Sequence, residues 1–229
     1  MHRPEPRGLY ETGRFDAPGG AVRLGGPELT ARALDLGGWR GGERVLDLGC
    51  GGGASLALLR ARGIVAVGVD VSRAALAEAR RNGATVAAAD GANLPFAAGG
   101  FAGVLAECSL GLMADLPRTL DELRRVLAPG GRLVAGDPYR RAAEPPPDGA
   151  PARLRGLRTQ AEWRDLLAAH GFAPGGWEDR SEALRAFVAR VIFAGGSAGD
   201  VWCAPGAGAE AVKRMRPGYA LFVARRADN

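Results

Sequence analysis

Residues 45–53 read Val45-Leu46-Asp47-Leu48-Gly49-Cys50-Gly51-Gly52-Gly53. An apolar run interrupted by one acid passes directly into a cluster of glycines. Arg44 to Leu48 reads as a buried strand, and Ala54 to Arg62 as a helix closed by Gly63. Glycines suit the join because the turn is tight and a ligand can approach the bare backbone closely.

The same alternation continues outward. Ile64 to Val69 reads as a second buried strand ending on Asp70, and Arg73 to Arg81 as a helix stopped by Asn82-Gly83. Thr85 to Ala89 ends on Asp90, and Phe101 to Ala106 ends on Glu107. Pro117 opens a helix with Leu120, Leu123 and Leu127 on one face. Pro129-Gly130-Gly131 breaks it and leads into a strand, Arg132 to Ala135. Upstream, residues 1–24 read as an irregular Gly/Pro/Arg arm. Pro27 then begins a helix carrying Leu29, Ala33 and Leu36, and Gly37-Gly38 ends it. Continuous apolar strands alternating with helices specify an α/β, Rossmann-like doubly wound fold with a parallel sheet covered on both faces. Ligands in such sheets bind outside the carboxyl ends of the strands. Asp47, Asp70, Asp90 and Glu107 are therefore expected to converge on one crevice.

Downstream, residues 140–158 contain Pro145-Pro146-Pro147 among arginines and acids, and read as a solvated loop. Thr159 and Glu162 suggest a capping box for a helix with Trp163, Leu166, Leu167 and His170 on one face, stopped by Gly171. Ser181 is a cap for a further helix with Leu184, Phe187, Val188, Val191 and Ile192 inward, ended by Gly195-Gly196. Tyr219 to Ala224 is the last strand. Trp163, Trp177, Phe187 and Phe193 read as core or cleft wall, and His170 as a helix-terminal residue favouring the dipole.

Composition excludes several classes. No apolar run approaches the length of a membrane span. The N-terminus lacks the apolar stretch of a secretory signal, so a cytoplasmic location is expected. The net charge of +5 is almost all arginine, with Lys213 the single lysine. Ala, Gly and Arg are inflated together, which fits a coding bias better than a nucleic-acid partner. Cys50, Cys108 and Cys203 form neither a disulfide framework nor a zinc pattern, and no metal site is expected.

The glycine cluster alone also fits a loose dinucleotide fingerprint, Gly49-x-Gly51-x-x-Ala54. Asp47 argues against that, because a carboxylate repels a pyrophosphate. S-adenosylmethionine (SAM) carries an ammonium and a sulfonium, which accept negative charge nearby. Asp70 can accept from both ribose hydroxyls. Asp90, with Gly91 and Ala92 behind it, can read the adenine amino group while the Gly91 amide faces a ring nitrogen.

These residues resemble a known family, the class I SAM-dependent methyltransferases. The resembling stretches are VLDLGCGGG (45–53), VGVDVS (67–72), the acid in VAAADGANLPF (86–96), FAGVLAECSL (101–110) and ELRRVLAPGGRLV (122–134). The resemblance implies a seven-stranded sheet whose last strand, Tyr219 to Ala224, is antiparallel. It implies that Gly49, Cys50 and Gly51 contact the methionine end of the cofactor and that Asp70 holds the ribose. Val71 then packs on adenine, Asp90 and Gly91 read its edge, and Glu107 and Cys108 line the methyl-transfer cleft. The remainder is similar to the small-molecule branch near the quinone-biosynthesis and arsenite methyltransferases. Residues 23–30, RLGGPELT, resemble a block that closes over the cofactor, with Tyr10 and Arg23 as candidate lid residues.

The expected organisation is a single domain over 1–229. It has an arm and lid at 1–43, a SAM-binding core at 44–139, acceptor-side helices at 140–215 and the final strand at 216–229. The expected activity is methylation of a small-molecule acceptor, leaving S-adenosylhomocysteine (SAH), with Glu107 the one candidate general base. RNA methylation, methylation of a metalloid on Cys50 and Cys108, and non-catalytic SAM binding are the alternatives.

Overall fold

The computed structural model describes residues 16–17, 20–21, 24–148, 150, 152–193, 195–196, 201–202 and 209–228. Seven strands form the main sheet: β1 (Arg44–Leu48), β2 (Val65–Asp70), β3 (Val86–Ala88), β4 (Phe101–Glu107), β5 (Leu127–Arg140), β6 (Phe172–Asp179) and β7 (Pro217–Arg226). Their spatial order is β3-β2-β1-β4-β5-β7-β6. β1 to β5 run parallel, and β7 is antiparallel to β5 and β6. The doubly wound sheet and its reversed final strand are as expected from the sequence. Outside the sheet, residues 16–17 pair with 20–21 in a short antiparallel ladder.

The helices are α1 (Gly26–Gly37), α2 (Ala54–Ala61), α3 (Arg73–Arg81), α4 (Leu116–Val126), α5 (Ala152–Arg155), α6 (Gln160–Ala169), α7 (Ser181–Phe193) and α8 (Ala209–Met215). Ser72 caps α3 by accepting from the Ala75 amide, and Asp115 caps α4 by accepting from the Arg118 amide. Val45, Leu46 and Leu48 are fully buried, as a central strand covered on both faces requires. β1 pairs with β2 on one side and β4 on the other, so the strand order reverses between β1 and β4. That reversal is the topological switch point, where such sheets open a crevice.

Three features depart from the sequence reading. β6 completes the seven strands that the resemblance implies, at a place the sequence reading did not locate, since Pro174-Gly175-Gly176 interrupts its pattern. It is an edge strand whose register with β7 shifts between Pro174 and Trp177. An edge bulge is where a strand tolerates proline and glycine. Past it, Trp177 stacks on Phe222 at 5.2 Å, and Trp163 lies against the same ring at 5.3 Å. β5 is longer than Arg132 to Ala135, since pairing with β4 begins at Leu127 and resumes at Arg132 beyond Pro129-Gly130-Gly131. Residues 140–158 are not simply a solvated loop. α5 lies among them, and Arg140 is buried, its guanidinium donating to the carbonyls of Ala142, Ala143 and Glu144.

The chain packs as two compact units. One comprises residues 27–137, 161–179 and 220–229 and holds nearly the whole sheet with α1 to α4 and α6. The other comprises 1–26, 138–160 and 180–219, with α5, α7 and α8. In the second unit α7 buries Leu184, Phe187 and Val191, while the Ser181 hydroxyl accepts from the Tyr219 amide. Phe193, expected in a core or cleft wall, is instead 91 % exposed at the end of α7. The described residues include no helix long and apolar enough to cross a membrane.

Candidate cofactor site

The glycine loop leaves β1 at the switch point. Gly49, Gly51 and Gly53 all have positive φ, at 72°, 50° and 87°, a region costly for residues with a Cβ. The amides of Gly49 and Cys50 donate to the Val69 carbonyl, which fastens the loop to β2. A Cβ on Gly49 would lie 2.7 Å from that of Ser109, whereas one on Gly51 would meet nothing within 4 Å. Gly49 is thus required by both packing and backbone angle, and Gly51 by its angle alone. Gly51 leaves open space over the backbone. Gly53 then starts α2 without a side-chain cap, so the first amides of that helix favour an anionic group. Asp47, one residue back from the end of β1, is only 2 % exposed.

Asp70 ends β2 and organises the loops around it. Its Oδ2 accepts from the Gly51 amide at 2.9 Å and its Oδ1 from the Ser72 amide at 2.8 Å. The next residue, Val71, is 73 % exposed, an unusual position for a large aliphatic side chain beside a strand-end crevice. Asp90 follows β3 and bends back on itself. Its Oδ1 accepts from the Ala92 amide at 2.9 Å, and its carbonyl from the Asn93 amide. Gly91 is buried between the two. A Cβ there would press on Met113 Sδ at 2.9 Å and Thr119 Cγ2 at 3.0 Å.

Glu107 ends β4, across the switch point from Asp47. Thr30 of α1 donates its hydroxyl to Oε1 at 2.9 Å and also lies 3.2 Å from Oε2. Ser55, in the first turn of α2, donates to Oε2 at 2.6 Å. Thr30 and Ser55 were not singled out in the sequence. Thr30 closes the block 23–30 that suggested a lid, and Ser55 follows the glycine cluster by two residues. Those were the only signals. Cys108 comes next with φ 54°, a left-handed angle that a non-glycine residue adopts at a cost. Its amide donates to the Gly136 carbonyl at 2.6 Å. One residue further along β5, Asp137 is buried and accepts from the Gly111 amide at 3.3 Å. The sequence reading missed Asp137 as well, since no pattern marks an acid inside a long strand.

Cys50 is a packing group. It is buried against Gly68, where a Cβ would come within 2.6 Å of its sulfur. Burial first, then the nearby Asp47 and Asp70 carboxylates, push its thiol well above the ordinary range. A thiol held protonated is a poor soft-metal ligand. Among the described residues no cluster of His, Cys, Asp and Glu could hold a metal ion. Four arginines of 140–158 are also engaged: Arg140, Arg141, Arg155 and Arg158 each donate to a backbone carbonyl. His170 pairs with Asp121 of α4 at 2.7 Å. Tyr10, Arg23 and Cys203 lie outside the described residues.

The fold and the glycine crevice define a Rossmann-like α/β domain. Residues 46–135 match the methyltransferase-domain family. An uncharacterised protein of Mycobacterium tuberculosis is 41 % identical over 118 residues, covering 47 % of this chain and 40 % of the relative. A demethylmenaquinone methyltransferase of Thermus thermophilus is 41 % identical over 128 residues, covering 52 % of this chain and 56 % of that protein. The chain thus spans about half the length of these curated relatives. Among solved structures, the [4+2]-cyclase SpnF is similar at 29 % identity with a TM-score of 0.71, covering 88 % of this chain and 82 % of that one. Residues 46–135 are thus similar to methyltransferase domains, including those of demethylmenaquinone methyltransferases.

Proposed function

We propose that the protein binds SAM at the Gly49–Gly53 loop and transfers its methyl group to a small-molecule acceptor, leaving SAH. The observation that carries this reading is the company the loop keeps. Asp47 stands before it, Asp70 grips it through the Gly51 amide, and Glu107 is tied to Ser55 just behind it. Such a ring of carboxylates suits an ammonium and ribose hydroxyls, and opposes a pyrophosphate. Gly49, Cys50 and Gly51 would hold the methionine end, Asp70 the ribose, Val71 the adenine face, and Asp90, Gly91 and Ala92 the adenine edge. The names of the quinone-biosynthesis relatives support a small acceptor.

When bound, the cofactor supplies the electrophilic methyl, and the chain supplies position and electrostatics. With Thr30 and Ser55 donating to both its oxygens, Glu107 is better suited to hold the cofactor's ammonium than to take a proton from the acceptor. Residues 140–215 lie outside the family match at 46–135, and we assign acceptor selection to them. The expected site of action is the cytoplasm. Tyr10 and Arg23 are proposed to cover the bound cofactor.

Calorimetry with SAM, SAH and NAD tests the cofactor assignment. SAM and SAH should bind, NAD should not, and Asp47→Ala should abolish binding. Folded protein that ignores both SAM and SAH sinks the proposal. A second reading follows from SpnF, which is a cyclase on this fold: the chain binds SAM without transferring its methyl. Incubation with labelled SAM and cell extract, followed by mass spectrometry, separates the two. A labelled small product supports transfer, and bound but unconsumed SAM supports the second reading.

A further inference from the structure

The turn Asp90–Ala92 follows β3, which is three residues long and lies at the sheet edge. Among the described residues no strand pairs on its outer side, and α4 supplies contacts to the turn. Arg118 Nε donates to the Ala92 carbonyl at 3.3 Å, and Thr119 Cγ2 packs beneath Gly91. One turn further along the helix, Glu122 Oε2 accepts from the Leu94 amide at 2.8 Å. Arg125 grips both oxygens of Glu122, through Nε at 2.7 Å and Nη2 at 2.8 Å. Its remaining donors reach the carbonyls of Phe96 at 2.7 Å and Leu94 at 3.0 Å. Its own carbonyl accepts from the Gly99 amide. Arg118, Glu122 and Arg125 stand at i, i+4 and i+7, one stripe of the helix.

We propose that Glu122 and Arg125 are positioning residues that set the adenine specificity of the Asp90 turn. The inference rests on the cofactor reading above. Asp90 spends Oδ1 on the Ala92 amide, leaving Oδ2 to accept from the adenine amino group. A carboxylate selects an amino group over a carbonyl only if it is held at hydrogen-bonding distance and angle. Leu94, buried and clamped on both its amide and its carbonyl, is the fixed point from which the turn projects. The forked, charge-assisted geometry of the pair makes that point stiff. Lysine in place of Arg125 cannot reproduce the fork.

The test compares SAH with its deaminated analogue, in which a carbonyl replaces the 6-amino group, by calorimetry. Wild type should prefer SAH by at least about tenfold, the scale of one lost and mismatched hydrogen bond. Glu122→Gln and Arg125→Lys should reduce that preference to within about threefold, mainly by weakening SAH. Arg118→Gln, at an exposed position, should reduce it by a smaller factor. The ratio is internal to each folded variant, so lost stability alone does not move it. If wild type discriminates and folded Glu122→Gln and Arg125→Lys both keep the full ratio, the proposal is overturned. If wild type binds neither ligand, the cofactor reading itself has failed. If it binds both equally, the assignment of Asp90 has failed, and the positioning role with it.

Discussion

Asp90 and Glu107 both stand at the ends of strands in the same sheet, yet they are fixed in opposite ways. Asp90 bends back onto the Ala92 amide, two residues along the chain. Glu107 is held by Thr30 and Ser55, 77 and 52 residues away, from two different helices. The first bond closes within a single turn of the chain, which α4 then braces from outside. The second exists only once α1, α2 and β4 have docked. Removing Asp90 should therefore cost ligand binding alone, and removing Glu107 should cost binding and architecture together.

The largest effect is expected at Glu107. Glu107→Ala deletes the carboxylate and strands two hydroxyl donors, so SAH affinity should fall by about a hundredfold or more. The melting temperature should fall as well. Calorimetry and thermal denaturation of the same variant measure both. A variant that loses binding with unchanged melting would mean the hydroxyl contacts contribute nothing to the fold.

The two donors come next. Thr30→Val and Ser55→Ala should each weaken SAH binding by about five- to tenfold, since each leaves one carboxylate oxygen without its hydroxyl. Because both hold one group, the double variant should depart from the product of the single effects, as residues in one network do. Simple multiplication of the two effects would show that Glu107 is oriented by something else. Asp90→Ala, by contrast, should weaken SAH about tenfold with little change in melting, because Asp90 itself is exposed.

The same contrast explains what could be read in the chain before the structure. Asp70, Val71 and Asp90 follow strands in sequence, so a strand pattern locates them directly. β6 was hidden because Pro174-Gly175-Gly176 breaks the pattern, and only pairing with β7 shows that the break is a bulge. Arg140 looked like a solvated charge because composition cannot show carbonyls folding around it. Thr30, Ser55 and Asp137 carry no local signature, since what distinguishes them is a partner far along the chain or a place in the packed sheet. Cys50 was legible as a residue of the glycine motif, but its role against Gly68 depends on β2 lying alongside.

The smallest effect is a pH dependence at Glu122, which shares with Glu107 the property of being held by other side chains. The hydrogen bond from Arg125 is the main cause, and it holds the Glu122 carboxyl below the usual carboxylate range, with the Leu94 amide adding to it. The unfolded chain releases that proton at the ordinary glutamate value, about 4.3. Over the interval between the two values the unfolded state binds more protons than the folded one. The pair's contribution to stability is therefore fully present above the ordinary range and declines as pH falls through the folded-state value. Glu122→Gln keeps the shape and removes the charge. Its melting temperature should lie below wild type by a constant margin at neutral pH, and that margin should shrink as the solution is acidified below about pH 4. An equal margin at pH 3 and pH 7 would mean that Glu122 holds Leu94 by geometry alone. Its grip on the loop would then resemble the uncharged hydrogen bonding of an ordinary turn rather than a charge-assisted fork.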